Sequence, residues 1–134
     1  MIRPMTVSDA PAVRSLQTYL RYADPDLIEA AVRGPLDGRV AIEGSPVGYA
    51  IFFPGHPATL SELVVAPSHR RQGYGRALVE NVAATVDSET LEVTTPIGAT
   101  AAKRFYTTLG FEPGDRIGTF YEDGTDALRL RRRE

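Results

Sequence analysis

Leu63-Val64-Val65-Ala66-Pro67-Ser68-His69-Arg70-Arg71-Gln72-Gly73-Tyr74-Gly75-Arg76-Ala77-Leu78 begins as a β-rich run, breaks at Pro67, passes through a basic turn holding two glycines, and continues as a helix. Leu78, Val82 and Val86, at four-residue spacing with Val79 and Ala83 beside them, mark that helix. Strand, glycine turn and helix start, in this order, make an anion cradle. Gly73 and Gly75 let main-chain N–H groups approach an anion without a Cβ in the way. The first helical turn has amides without partners, and its dipole adds partial positive charge. Arg70, Arg71 and Arg76 add full charges. The stretch therefore reads as a pyrophosphate site. Two common ligands of such sites fail on particular residues. The dinucleotide fingerprint needs a third glycine or alanine where Leu78 stands. The Walker loop needs Lys-Ser/Thr after its last glycine, where Arg76-Ala77 stands.

Upstream, residues 1–5 predict a short strand, and Ser8 or Asp9 caps a helix with Pro11 in its first turn and Ala12, Val13, Leu16 and Leu20 on one face. Asp24-Pro25-Asp26 starts a second helix that ends at Gly34-Pro35. Residues 39–43 and 47–53 flank Gly44-Ser45-Pro46 as a hairpin, and residues 59–66 form a third strand of this group. Downstream, residues 91–95 predict a strand and residues 99–109 a helix stopped by Gly110. Residues 111–121 and 127–130 then form strands around the turn Asp123-Gly124. This β-α-α-β-β-β-α-β-α-β-β order holds too many hairpins for a purely parallel sheet. The expected class is α+β (mixed α/β): a central mixed, mainly antiparallel sheet with helices on both faces. Residues 1–134 are expected to form a single domain.

Fifteen basic and seventeen acidic residues leave a formal charge of -2. Nucleic-acid-tracking proteins carry a basic excess, so no nucleic-acid partner is expected. The absence of cysteine excludes disulfides, thiolate metal sites and a cysteine nucleophile. With only His56 and His69, a histidine zinc site would lean on carboxylates, and no metal is expected. No stretch approaches the ~18–20 apolar residues of a membrane span, and the N-terminus lacks the apolar segment of a leader, so a cytoplasmic, membrane-free protein is expected. His69 and His56 are expected to face solvent. Arg129 and residues 131–133 read as a strand face and a frayed end.

Arg70-Arg71-Gln72-Gly73-Tyr74-Gly75, preceded by Val65-Ala66-Pro67, resembles the central motif of the GNAT superfamily of N-acetyltransferases. Ala102-Lys103-Arg104-Phe105-Tyr106-Thr107-Thr108-Leu109-Gly110-Phe111 is similar to that family's later Ala-x-x-Phe-Tyr-x-x-x-Gly-Phe motif, and the resemblance spans essentially the whole chain. Tyr121-Glu122-Asp123-Gly124-Thr125-Asp126-Ala127-Leu128 and Leu91-Glu92-Val93 look like the RimI-like branch, the ribosomal-protein N-terminal acetyltransferases.

The resemblance implies the GNAT fold, acetyl-CoA as cosubstrate, and direct attack of a primary amine with no covalent enzyme intermediate. The implied acceptor is a protein N-terminal α-amine, with a small-molecule amine as the alternative, and the loops between the first two helices and around residues 119–126 are expected to set it. The rival from another class is a non-catalytic acyl-CoA-binding regulatory module. Dimers are common in the family, which implies a homodimer. Coenzyme contacts are implied for the main chain of Leu63, Val64 and Val65 and for Arg70, Arg71, Gln72, Gly73, Tyr74, Gly75 and Arg76. Thr100 stands in for an asparagine of the family that is Ala99 here, and Lys103 lies one turn on. Tyr106 takes the role of acid toward the leaving thiolate. The candidate bases are Glu62, placed directly before the coenzyme strand, and Glu92 on the neighbouring strand. A carboxylate of pKa ~4.3 is a poor base unless burial raises it or water relays the proton.

Overall fold

In the computed structural model, which describes residues 1–134, the period-two runs assemble into one seven-stranded sheet. The elements are β1 (Ile2–Pro4), α1 (Ala10–Gln17), α2 (Asp26–Arg33), β2 (Asp37–Glu43), β3 (Ser45–Phe53), β4 (Ala58–Val65), α3 (Tyr74–Thr85), β5 (Thr90–Pro96), α4 (Thr100–Thr108), β6 (Glu112–Ile117) and β7 (Ala127–Arg133). Strand order is β1-β2-β3-β4-β5-β7-β6, and every neighbouring pair is antiparallel except β4–β5. No helix is long and apolar enough to cross a membrane.

Two apolar layers hold the sheet. On one face Val13, Leu16 and Ile28 of α1 and α2 pack against Val40, Tyr49, Ile51 and Val64. On the other, Leu78 and Val82 of α3 and Tyr106 of α4 pack with Phe52, Leu60, Leu91, Val93, Phe111 and Leu130. Fully burying one such aliphatic or aromatic side chain contributes about 1.5–3 kcal/mol. The expected architecture, a mainly antiparallel sheet covered on both faces, is the observed one.

Two irregularities of β4 decide what the fold can do. Ile51 pairs with Glu62 but the next residue, Phe52, pairs with Leu60, so Ser61 is an extra residue on β4. Such a β-bulge resets which face each side chain takes. Ala58 and Leu60 consequently join the α3/α4 layer, while Val64 joins the α1/α2 layer. The second irregularity is the parallel β4–β5 ladder. It runs only from Ala58↔Leu91 to Leu60↔Val93, although β4 continues to Val65 and β5 to Pro96. Beyond Leu60 the two central strands part.

Several local expectations are corrected. The last hairpin partner is shorter than residues 111–121: β6 ends at Ile117, and Thr119 turns the chain with φ 50°. The Gly44-Ser45-Pro46 loop tightens to Gly44 alone at the tip, because Glu43 and Ser45 already pair. The C-terminus is not frayed. β7 runs to Arg133, Glu134 N–H donates to the Glu89 carbonyl (2.8 Å), and Arg132 bonds Glu80 and Glu134.

Asp9 sits at the start of α1 but does not cap it. Its carboxylate turns back to accept from Thr6 N (2.8 Å) and both terminal nitrogens of Arg3 (2.8 Å each), tying β1 to the helix. The Arg3 hydrogen bonds, with those from Thr6, outweigh burial and hold the Asp9 carboxyl down at about 2. A carboxyl depressed in the folded state stabilises it above the unfolded value of ~3.9, and that contribution fades as pH falls through about 2. Asp9→Asn is therefore expected to cost about 2 kcal/mol near neutrality, with wild type and variant converging between pH 4 and pH 2 in thermal melts.

Candidate active site

The parting of β4 from β5 leaves a gap whose walls are main chain on one side and α4 on the other. Ala66 N–H donates to Val47 O (2.8 Å), so the amides of β4 that point toward β3 are those of Ala66 and, two residues back, Val64. Alternation turns the amides of Leu63 and Val65 the other way, into the gap. All three of residues 63–65 border the groove, but the amide of Val64 faces β3 and its side chain lies in the α1/α2 layer.

At the end of β4 the chain enters the basic turn. Arg70 Nε donates to Val65 O (3.1 Å), which anchors the guanidinium at the mouth of the gap. Arg71 has φ 62° and Gly73 φ 87°, so the turn uses two left-handed residues within three positions, one of them strained. Gly73 is the N-cap of α3 and supplies no side chain to cap it. The first helical bond is Ala77 N–H to Gly73 O (2.9 Å), which leaves the amides of Tyr74, Gly75 and Arg76 without helical partners at the positive end of the helix.

The two glycines also answer to the protein's own geometry. A Cβ on Gly73 would meet nothing within 4 Å, so Gly73 is required by its φ. A Cβ on Gly75 would come within 3.1 Å of the Phe105 ring, so a side chain there would push α3 and α4 apart by a few tenths of an ångström unless the ring gave way. Tyr74 borders the groove and reaches across to the β2–β3 hairpin. Its hydroxyl donates to Glu43 Oε2 (2.6 Å), with His69 Nε2 at 3.5 Å from the same oxygen. His69 thus joins the β2–β3 hairpin instead of standing free in solvent.

These residues line a groove of about 840 Å³ that includes Val65, Arg70, Arg71, Gly73, Arg76 and Thr100. Gln72 and Lys103, expected at the coenzyme, are exposed and lie outside its lining, because the turn and α4 direct both side chains to solvent. A second cavity of about 620 Å³ opens on the α1/α2 side of the same gap. Leu20, Leu63, Ala99, Ala102 and Tyr106 line both. Tyr106 is nearly buried, and burial alone pushes its phenol up.

Glu62 lies inside β4 and not before it. The bulge aims it at α1, where it is 6% exposed at the floor of the second cavity. Oε1 accepts from Tyr49 OH (2.8 Å) and Gln17 Nε2 (3.0 Å), and Oε2 accepts from Asp24 N (2.9 Å). Burial and the Glu62 charge push the Tyr49 phenol far up, so it remains a donor. Glu92 meets a different fate. Arg131, its directly opposite partner on β7, binds it at 2.6 Å and Arg129 lies at 3.6 Å, while the cavity it lines is a third one, with His56 and Asp87. Glu92 is held in a cross-strand ion pair and does not reach the Tyr106 cavity.

The roof of the second cavity comes from the two loops expected to set the acceptor, between α1 and α2 and around residues 119–126, but which side chains meet there had no signal in the sequence. Tyr22, between α1 and α2, stacks on Tyr121, between β6 and β7, with ring centroids 4.1 Å apart. Tyr22 OH donates to Asp123 Oδ2 (2.7 Å), and Arg21 reaches the same oxygen at 3.1 Å. Gln17, Tyr49 and Asp24 were missed as well; each looks like an ordinary helix, strand or turn residue until β4 is in register.

Residues 37–113 match the family described as acetyltransferase (GNAT) domain. The chain is 32% identical over 122 residues to the mycothiol acetyltransferase of Parafrankia sp. (strain EAN1pec), which covers 83% of this chain but only 38% of that protein's length. The ribosomal-protein-S18-alanine N-acetyltransferase of Escherichia coli shares the fold, with TM-score 0.81 and 24% identity over 98% of this chain and 91% of that one. So does NAA60 of Arabidopsis thaliana in complex with acetyl-CoA, with TM-score 0.82 and 14% identity over 99% and 97%.

Proposed function

The chain belongs to the GNAT acetyltransferase family, and from that premise we propose that it transfers the acetyl group of acetyl-CoA to a primary amine by direct attack in a ternary complex. One observation carries this reading: two cavities enter the β4–β5 gap from opposite sides and share Leu63 and Tyr106. The groove under α3 fits the coenzyme. Unpartnered amides at the α3 N-terminus, with Arg70 and Arg71, would hold the pyrophosphate, and the gap-facing amides of Leu63 and Val65 the pantetheine arm. Thr100 lines the same groove and would contact the coenzyme where Ala99 offers no amide side chain. The other cavity takes the amine.

In the reaction a C–N bond forms at the acetyl carbon as its C–S bond breaks. A gap-facing amide of β4 donates to the carbonyl oxygen as negative charge develops there. Glu62 accepts the amine proton through the free lone pair of Oε2, and Tyr106 donates a hydrogen bond to the departing sulfur. The Tyr106 phenol is pushed up by burial, so giving its proton outright to a thiolate of pKa ~8.5 is uphill; charge stabilisation is its main contribution.

The acceptor proposed first is a protein N-terminal α-amine. At pKa ~8, against ~10.4 for lysine, it is more often neutral and needs less from a base. The RimI-like resemblance and the fold shared with an alanine N-acetyltransferase support it. A small-molecule amine is the second reading, favoured by the relative named for a thiol instead of a protein.

Thermal melts test the coenzyme assignment. Coenzyme A at about a hundredfold over its Kd should stabilise by ~2.7 kcal/mol, roughly 10 °C for a chain of this size. ATP and NAD should leave the midpoint where it is. In Gly73→Val, whose side chain has space but the wrong φ, the coenzyme A shift should vanish. A wild-type midpoint unmoved by coenzyme A would overturn the reading. A thiol-release screen of peptide N-termini against small amines then separates the two acceptor classes.

A further inference from the structure

The buried polar cluster around Glu62 holds more than a base requires. Tyr49 is fully buried and Gln17 is 5% exposed, yet both point a polar atom into an otherwise apolar layer of Val13, Leu16, Ile51 and Val64. Burying such groups is costly unless each finds a partner, and here both find the same oxygen, Oε1 of Glu62. They come from separate elements, β3 and α1. Gln17 Nε2 also donates to the Asp24 carbonyl (3.0 Å), and the Asp24 amide closes the ring on Oε2.

We propose that Tyr49 and Gln17 are positioning residues: by occupying Oε1 from two sides they lock the rotation of the Glu62 carboxylate, so that Oε2 alone faces the acceptor cavity. This rests on the reading of Glu62 as base and goes beyond it. A carboxylate rotates freely about its last bond, and its two oxygens are equivalent until something distinguishes them. Two donors on one oxygen and one main-chain amide on the other make them inequivalent. The Asp24 amide also ties the base to the loop that roofs the acceptor, so base and acceptor wall move as one unit. Asp24 and Arg21 are the other charged residues lining that cavity, and neither bonds the Glu62 carboxylate through its side chain.

The test is a double-mutant cycle in steady-state kinetics. Tyr49→Phe keeps the ring and removes only the donor. It should lower kcat by roughly 10- to 100-fold, the cost of a reacting group misplaced by about an ångström, with KM for acetyl-CoA and the coenzyme A melting shift unchanged. In a Glu62→Gln background the same change should cost less than about twofold, because a positioning residue has nothing left to position. Gln17→Met, which removes the other donor at similar volume, should behave alike and serves if Tyr49→Phe does not fold. Equal losses in both backgrounds, or a loss confined to KM for acetyl-CoA, would overturn the positioning role while leaving the base in place. Wild-type kcat in Glu62→Gln alone would remove the base and this inference together.

Discussion

Glu62→Gln is expected to lower kcat by about 10²- to 10³-fold while the coenzyme A melting shift persists. The carboxylate sits at the floor of the proposed acceptor cavity, across the gap from the proposed coenzyme groove, so its loss should touch proton transfer and not pyrophosphate binding. The substitution has a structural cost as well. The glutamine oxygen can replace Oε1 and accept from Tyr49 and Gln17, but its NH2 then confronts the Asp24 N–H, donor against donor. One unsatisfied buried amide costs about 1–3 kcal/mol, so a lower melting point is expected too. Glu62→Asp keeps a carboxylate but withdraws it both from the cavity and from its three donors, so activity and stability should fall together. Glu62→Gln turning over at the wild-type rate would assign proton removal to water or to prior deprotonation of the amine.

Tyr106→Phe is expected to lose about 10²-fold in kcat with acetyl-CoA affinity retained and the fold undisturbed. The ring, not the hydroxyl, carries the packing: it meets Phe105 and Phe111 edge-on at centroid distances of 5.1 and 5.4 Å. No protein partner acts on the hydroxyl, so removing it orphans nothing. A loss of rate without a loss of stability is the signature of a group whose partner exists only during the reaction. Unchanged turnover would take Tyr106 out of the chemistry and leave the leaving thiolate to solvent.

Glu92 and Glu62 show where reading residues along the chain stops. Both are glutamates in strands, one residue from an aliphatic run, and both were candidate bases on equal terms. Glu92 is neutralised by Arg131, a partner 39 positions away that lies opposite only because β5 pairs with β7 in one register. Glu62 is separated from it by the Ser61 bulge and by the ending of the β4–β5 ladder after Leu60. The basic turn before α3 was far easier to see. Its glycines, basic residues and helix start are consecutive, and their geometry follows from φ at Gly73 and from the unpaired amides of α3. Even there one constraint on Gly75 lay out of view, because the close Phe105 ring on α4 supplies it.

What the amino-acid order determined by itself is therefore local: the succession of strands and helices, the basic glycine turn at the start of α3, and the tyrosine placed after α3 and β5. Periodicity, helix ends and left-handed glycines act over a few residues, so a linear reading captures them. Tertiary structure alone decided which face Glu62 takes, which amides of β4 open into the gap, and that Tyr22 meets Tyr121 above the second cavity. Those depend on the register of strands distant in the chain, where one extra residue at Ser61 reverses a side chain from one layer of the core to the other.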